Sequence, residues 1–230
     1  MSLPYIITGA SSNHFRSLIQ LLNTLITSNK NLKCVVWDLG LTETECIELY
    51  VRFSIKLNKF NYNKYPPYFN IHINAGEYAW KPVLINETTN IFGENIYLWL
   101  DAGNIVVSEL TPLIEFINTM GIYSNPTSKI LNHPNVFLEI EPYYKQFENH
   151  IHRNGAIIGF NTNLTWVREL IHKWALWAQN KNIIAPSGSN RNNHRQDQTL
   201  LTLLYWEAAN KYHFNTNEVF RMIHIHQDCD

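Results

Sequence analysis

The chain has 230 residues, 45% of them hydrophobic and 16% charged, with 18 Lys and Arg against 19 Asp and Glu. That supplies apolar material for a full core, while 13% aromatic residues with only nine Gly and nine Pro exclude disordered and fibrous classes. The near-zero net charge excludes a dedicated nucleic-acid or membrane-surface binder, which needs a basic stripe. The predicted elements start with an apolar strand at Tyr5-Ile6-Ile7-Thr8. Phe15, Leu18, Ile19, Leu22 and Ile26 then recur at helical spacing, with Ser12 or Asn13 as the expected N-cap. Cys34-Val35-Val36-Trp37 reads as the second strand, broken at Gly40, and Thr42-x-x-Glu45 reads as a capping box that starts a second helix. Asn70 to Ile73 is expected to be a third, weaker strand, followed by a helix from about Tyr78 to Asn90 and a fourth strand at Ile96-Tyr97-Leu98-Trp99-Leu100. Further on, helices are expected over 110–120, 164–178 and 198–212, a buried strand over 155–160 and a last strand over 221–226.

Strands that alternate with helices imply βαβ units and a parallel sheet covered on both faces. Ligands of such sheets bind beyond the carboxyl ends of the strands, where strand order reverses. The residues there are Thr8-Gly9-Ala10-Ser11-Ser12-Asn13, Asp38-Leu39-Gly40 and Asp101-Ala102-Gly103-Asn104, all small or polar but for one leucine. The expected organisation is one domain over 1–230. Its first half, 1–107, would bind the ligand and its second half, 108–230, would close over it.

Cys34, Cys46 and Cys229 form neither a disulfide framework nor a metal-binding pair, so Cys34 is read as a core residue and the chain as cytoplasmic. No apolar run is long enough to span a bilayer, and no signal peptide is apparent. Only five aspartates exist, and two of them, Asp38 and Asp101, end apolar strands. A strand-end carboxylate serves a hard cation or a ribose hydroxyl, or merely caps the next turn. His224 and His226 are two apart on an expected strand, so both imidazoles would share one face and be able to hold a metal, unless they are simply solvated. Asp197-Gln198 opens an apolar helix, either as its polar first turn or as a pair aimed into a site. Lys81 reads as a solvated lysine or as a counter-charge to phosphate. Asn154-Gly155 permits close approach of backbone to a ligand. No Walker A loop, GxGxxG, GxSxG or HExxH run is present.

Four ordered stretches resemble GT-A fold glycosyltransferases, in particular the retaining group that contains the glycogenin-like and lipopolysaccharide galactosyltransferase-like enzymes (glycosyltransferase family 8). Val35-Val36-Trp37-Asp38-Leu39-Gly40-Leu41-Thr42 is similar to that family's strand–Asp–x–Gly–Leu–Ser run. Tyr78-Ala79-Trp80-Lys81-Pro82, leading to Tyr97-Leu98-Trp99-Leu100-Asp101-Ala102-Gly103, resembles the helix and strand that end in Asp-x-Asp. Asn154 to Asn161 resembles the Asn-Ser-Gly-Val strand, and Arg195-Gln196-Asp197-Gln198-Thr199-Leu200-Leu201 the Asp-Gln-x-x-Leu helix start. With Ile6 to Ser11 the match runs through nearly the whole chain.

The resemblance implies an α/β GT-A fold, Rossmann-like, with a mostly parallel central sheet and helices on both faces. It implies transfer of a hexose from a nucleotide sugar, UDP-linked, to a glycan or protein acceptor with retention. Thr8, Gly9, Ala10 and Asn13 would line the nucleotide, and Asp38 would lie near the uracil or ribose. Lys81, Asn154 and Gly155 would lie at the donor, Asp197 would orient the sugar, and Gln198 would sit beneath the anomeric carbon. Asp101, with His226 and His224, would hold Mn²⁺ or Mg²⁺ on the diphosphate. The chain departs from the family twice: the second metal Asp is Gly103, and His224-Ile225-His226-Gln227-Asp228 stands in place of a C-terminal His-x-x-Gly-x-x-Lys. These departures leave open a metal-independent or inverting transferase, and a catalytically silent sugar-nucleotide-binding protein. A nucleotidyltransferase shares the strand-end Asp logic but lacks its Gly-rich triphosphate loop.

Overall fold

The computed structural model describes residues 3–29 and 31–229. Its sheet runs β3-β2-β1-β4-β7-β6. The strands are β1 (Tyr5–Ala10), β2 (Lys33–Asp38), β3 (Ile55–Lys59), β4 (Ile96–Leu100), β6 (Ile122–Pro126) and β7 (Arg153–Asn161). The β3, β2, β1 and β4 neighbours pair in parallel, whereas β7 is antiparallel to both β4 and β6. A separate two-residue ribbon pairs β5 (Ile105–Val106) with β8 (Ile223–His224). The helices are α1 (Phe15–Ser28), α2 (Glu43–Arg52), α3 (Trp80–Phe92), α4 (Thr111–Met120), α5 (Thr165–Ala178), α6 (Lys181–Ile184) and α7 (Gln196–Tyr212).

Strand residues alternate between two apolar layers because successive side chains leave opposite faces of a sheet. Tyr5, Ile7, Val35, Trp37, Tyr97, Trp99, Ile158 and Phe160 pack with buried residues of α3, α5 and α7. Ile6, Val36, Leu98, Leu100 and Ile157 pack on the other face with residues of α1, α2 and α4. Helix α7 is buried over most of its length, from Thr199 to Tyr205 and again at Ala208, and so has no solvent face there.

Several elements differ from the sequence expectation. The third strand is Ile55–Lys59, and Asn70 to Ile73 is irregular chain and turn. The β3 strand is a half-exposed edge carrying Lys56 and Lys59, and lysine on an edge conceals the strand signal while blocking edge-to-edge pairing. The edge strand β6 contains Pro126, whose missing N–H is tolerable only at such a position. Neither Ser12 nor Asn13 caps α1 through its side chain; a short 3₁₀ turn at Ser12–His14 leads into it. The capping box at Thr42 and Glu45 forms as expected. The last strand stops at His224, and His226 has left-handed backbone with φ 57°.

Candidate functional site

Strand order reverses beside β1, with β2 on one side of it and β4 on the other. The carboxyl ends of β1 and β4 open there on a cavity of about 640 Å³, within the usual size of a small-molecule site. Gly9 and Ala10 line it from the end of β1 and Asn13 from just after it, Asp101 to Asn104 after β4, Asn154 and Gly155 from β7, and Asp197 and Gln198 from α7.

Its polar centre is Lys81. The first turn of α3 carries this side chain into the interior, leaving the residue 4% exposed, so the solvated-lysine reading fails. Its ammonium donates to Asp101 Oδ1 at 2.8 Å and to the Gly155 carbonyl at 3.1 Å, and lies 3.4 Å from Asp197 Oδ2. Burial opposes the lysine charge, but the carboxylates of Asp101 and Asp197 outweigh it and hold the pKa above the ordinary lysine range. Burial also raises the pKa of Asp197, which Lys81 pulls back. Asp101 Oδ1 accepts a second bond, from Trp99 Nε1 at 2.6 Å.

Asp197 lies in the first turn of α7, where the helix dipole favours a carboxylate, and its carbonyl accepts from Trp174 Nε1 at 3.0 Å. The next residue, Gln198, presents Oε1 to the Gly155 N–H at 3.2 Å. Gly155 is tightly enclosed: a Cβ there would stand 3.2 Å from Asp197 Oδ2 and 3.6 Å from Lys81 Nζ. Asn154 Oδ1 accepts from the Ala156 N–H at 2.7 Å, which fixes the Asn154 side chain near the start of β7.

Three sequence-predicted residues lie outside this cavity. Thr8 is fully buried, two residues short of the carboxyl end of β1 where the cavity opens. Asp38 Oδ1 accepts from the Gly40 and Leu41 N–H groups at 2.8 and 2.6 Å, so it holds the turn that presents Leu39 to the cavity. His224 is exposed and absent from the lining, whereas His226 lines it: the strand ends between them, and the left-handed residue breaks the alternation that would have put both on one face.

The lining also includes residues that sequence reasoning did not single out, among them Tyr78, Trp80, Arg191 and Arg195. Tyr78 closes a left-handed turn, Asn74 to Tyr78, whose five residues have φ between 49° and 63°. Such backbone costs roughly 1–2 kcal/mol for each non-glycine residue, so neighbouring groups must hold it. Trp80 Nε1 donates to the Ala75 carbonyl at 3.0 Å, Gln196 Nε2 to Glu77 at 3.4 Å, and an Arg191 guanidinium nitrogen bonds the Tyr78 hydroxyl. No periodic pattern announces a left-handed turn; the Asn-Ala-Gly run was its one visible signal.

The donor set suits a hard divalent cation in chemistry, since Asp101 and Asp228 line the same cavity with Asn104. Among the described residues, however, no three His, Cys, Asp or Glu side chains converge on one point. No helix of the described residues is long and apolar enough to cross a membrane.

A family model described as a protein of unknown function (DUF1647) matches residues 4–86. No curated protein matches. Among solved structures, the galactosyltransferase LgtC, in complex with donor and acceptor sugar analogues, is 20% identical with a TM-score of 0.57, over 87% of this chain and 70% of that one. The bifunctional glycosyltransferase WbbM in its apo form is 13% identical, TM-score 0.56, over 90% of this chain and 38% of that one. Mouse xyloside xylosyltransferase 1, also apo, is 12% identical, TM-score 0.53, over 89% and 81%. At such identities the likeness establishes architecture alone. The chain has the GT-A fold: a mixed, mostly parallel sheet with helices on both faces, in the arrangement shared by these glycosyltransferases.

Proposed function

We propose that this chain is a cytoplasmic glycosyltransferase that moves a hexose from a UDP-sugar to a glycan or protein acceptor with retention. The observation that carries the reading is the buried Lys81 ammonium between Asp101 and Asp197, beneath Gly155 and beside Gln198, at the strand-order reversal of a GT-A sheet. Gly9, Ala10 and Asn13 would take the nucleotide, and Asn154 and Gly155 the transferred sugar. Lys81 opposes the negative charge that develops on the leaving phosphate oxygen; its preorganised ammonium costs no reorganisation at that moment. Arg191 and Arg195 add positive charge to the same cavity. Asp197 orients the sugar from a fixed helix terminus. The neutral Gln198 amide oxygen keeps a second lone pair beyond its bond to Gly155, to face the oxocarbenium-like anomeric carbon. Asp101 is the residue that would hold Mn²⁺ or Mg²⁺, and His226 lies near enough to the cavity to assist. When bound, the cation supplies further positive charge to the diphosphate.

One observation favours a second reading. Asp101 already neutralises an internal cation, and Gly103 contributes no carboxylate, which suits a metal-independent transferase. Melting temperature is measured with a panel of nucleoside diphosphates and UDP-sugars, each with Mn²⁺ and with EDTA, alongside donor hydrolysis. A shift with UDP or one UDP-sugar that EDTA abolishes supports the metal-assisted reading. A shift that survives EDTA supports the second. Binding without turnover identifies a silent sugar-nucleotide-binding protein, and no shift with any nucleotide overturns the donor assignment.

A further inference from the structure

A Cβ placed on Gly103 would meet the carboxylate of Asp228, with Oδ1 at 2.3 Å, Cγ at 2.5 Å and Oδ2 at 2.6 Å. The space that a side chain at position 103 would enter is therefore filled by an acidic group from the far end of the chain. Asp228 is exposed, but the backbone on either side of it is held. The Gln227 N–H donates to the Gly103 carbonyl at 2.7 Å, and Gln20 Nε2 donates to the Gln227 carbonyl at 2.9 Å. On the other side the Cys229 N–H donates to Ser17 Oγ at 3.0 Å. A second observation comes from the neighbouring wall. Asn104 is fully buried and donates through Nδ2 to the Ala156 carbonyl at 2.8 Å, while its Oδ1 has no hydrogen-bond partner among the described residues. A buried amide oxygen left without a partner carries a desolvation cost, and it marks a place for a ligand.

We propose that Asp228 supplies the second acidic oxygen of a divalent-cation site, with Asp101 as the first and Asn104 Oδ1 as the neutral donor. Asp228 and Asp101 both line the cavity with Asn104, and both of the hydrogen bonds that Asp101 accepts from side chains fall on Oδ1. Oxygen donors select Mg²⁺ or Mn²⁺ over softer ions. Mg²⁺ ordinarily takes only one or two protein carboxylates and completes its shell with water and phosphate oxygens, so a closed three-residue cluster is not required. Glycine at 103 is the condition for this arrangement, because any side chain there would expel Asp228. The inference rests on the nucleotide-sugar reading for the phosphate oxygens that complete the shell.

The test titrates Mn²⁺ against the full chain, with and without UDP, and reads free Mn²⁺ by its electron paramagnetic resonance signal; UDP binding is measured separately by calorimetry. The wild-type chain is expected to bind Mn²⁺, and Asp228→Asn to weaken it on the order of 100-fold. The exchange Gly103→Asp with Asp228→Gly is expected to restore most of that loss. Gly103→Asp alone, which displaces the Asp228 carboxylate, is expected to bind Mn²⁺ without needing Asp228. Wild-type affinity in Asp228→Asn overturns the proposal. UDP binding without any Mn²⁺ binding also overturns it, while the donor reading stands. Mn²⁺ held through Asp228 in a chain that does not bind UDP upholds the cation site and removes the donor reading instead.

Discussion

Replacing Lys81 by Met isolates the ion cluster on which the site is built. The substitution nearly preserves volume but strands two carboxylates. Asp101 is partly exposed and keeps its bond from Trp99 Nε1 at 2.6 Å, so solvent and the indole absorb much of its loss. Asp197 is 5% exposed, so solvent absorbs little of its loss and the Gln198 backbone N–H is its main remaining support. Removing one partner of a buried ion pair costs about 3–5 kcal/mol, and the single deeply buried carboxylate argues for the lower end, about 3 kcal/mol. For a chain of this size that corresponds to a fall in melting temperature of roughly 6–12 °C. The sign of the pH dependence follows from linkage. Burial already raises the Asp197 pKa above its ordinary value of 3.8, and loss of Lys81 raises it further. A folded-state pKa above the unfolded one stabilises at low pH and is lost as pH rises through the folded value. The penalty in Lys81→Met is therefore largest near pH 7.5 and shrinks toward pH 5, by up to about 1.4 kcal/mol per pH unit over the range in which Asp197 titrates. Urea denaturation followed by fluorescence of the seven tryptophans, variant against wild type at each pH, measures this directly. Adding Asp197→Asn should recover a good part of the loss, because the two positions are coupled. A loss below about 1 kcal/mol at pH 7.5, or one that is equal at both pH values, would refute the claim that Lys81 neutralises a buried carboxylate.

The wild-type chain should itself lose stability as pH falls. Burial lowers the pKa of both His152 and His194 from 6.5 to about 4, so the unfolded chain takes up protons that the folded chain refuses; a flat urea-stability profile between pH 7 and pH 5 would contradict this. Gln198→Ala should reduce donor turnover by about 100-fold while UDP affinity changes little, and the opposite pattern in steady-state kinetics and calorimetry would move Gln198 away from the reacting carbon. Gly76→Ala should destabilise by about 2 kcal/mol or more, since φ is +63° and the new Cβ would lie 2.3 Å from the Phe69 carbonyl oxygen. Gly93→Ala provides the comparison: φ is +77° with nothing within 4 Å, so equal losses in thermal melts would remove the steric part of the argument.

The parallel half of the fold was legible because its signals are local. The apolar runs at 5–8, 34–37 and 96–100 and the capping box at Thr42 and Glu45 each report a property of a few adjacent residues, and the structure forms a strand or helix start at each. The strand-end positions followed from that alternation, which is why Gly9, Ala10 and Asp101 were placed at the cavity from sequence. What remained hidden depends on contacts between distant segments. The half-exposed β3 was masked by its lysines, and the strand expected over 70–73 gave way to turns before the left-handed residues at the cavity rim. Asp38 and Asp101 look alike in sequence, yet backbone N–H groups of its own turn occupy one and the ammonium of Lys81 the other. His224 and His226 part because the strand ends at His224 and His226 itself is left-handed, which no two-residue period anticipates. The sequence alone determined the strands at 5–10, 33–38 and 96–100 and the residues available at their ends, but not β3, β5, β6 or α6. Only the tertiary structure decided which of those ends share a cavity, that Lys81 is buried between two carboxylates, and that Asp228 fills the space left by Gly103, because each of these depends on side chains that are neighbours in space and remote along the chain.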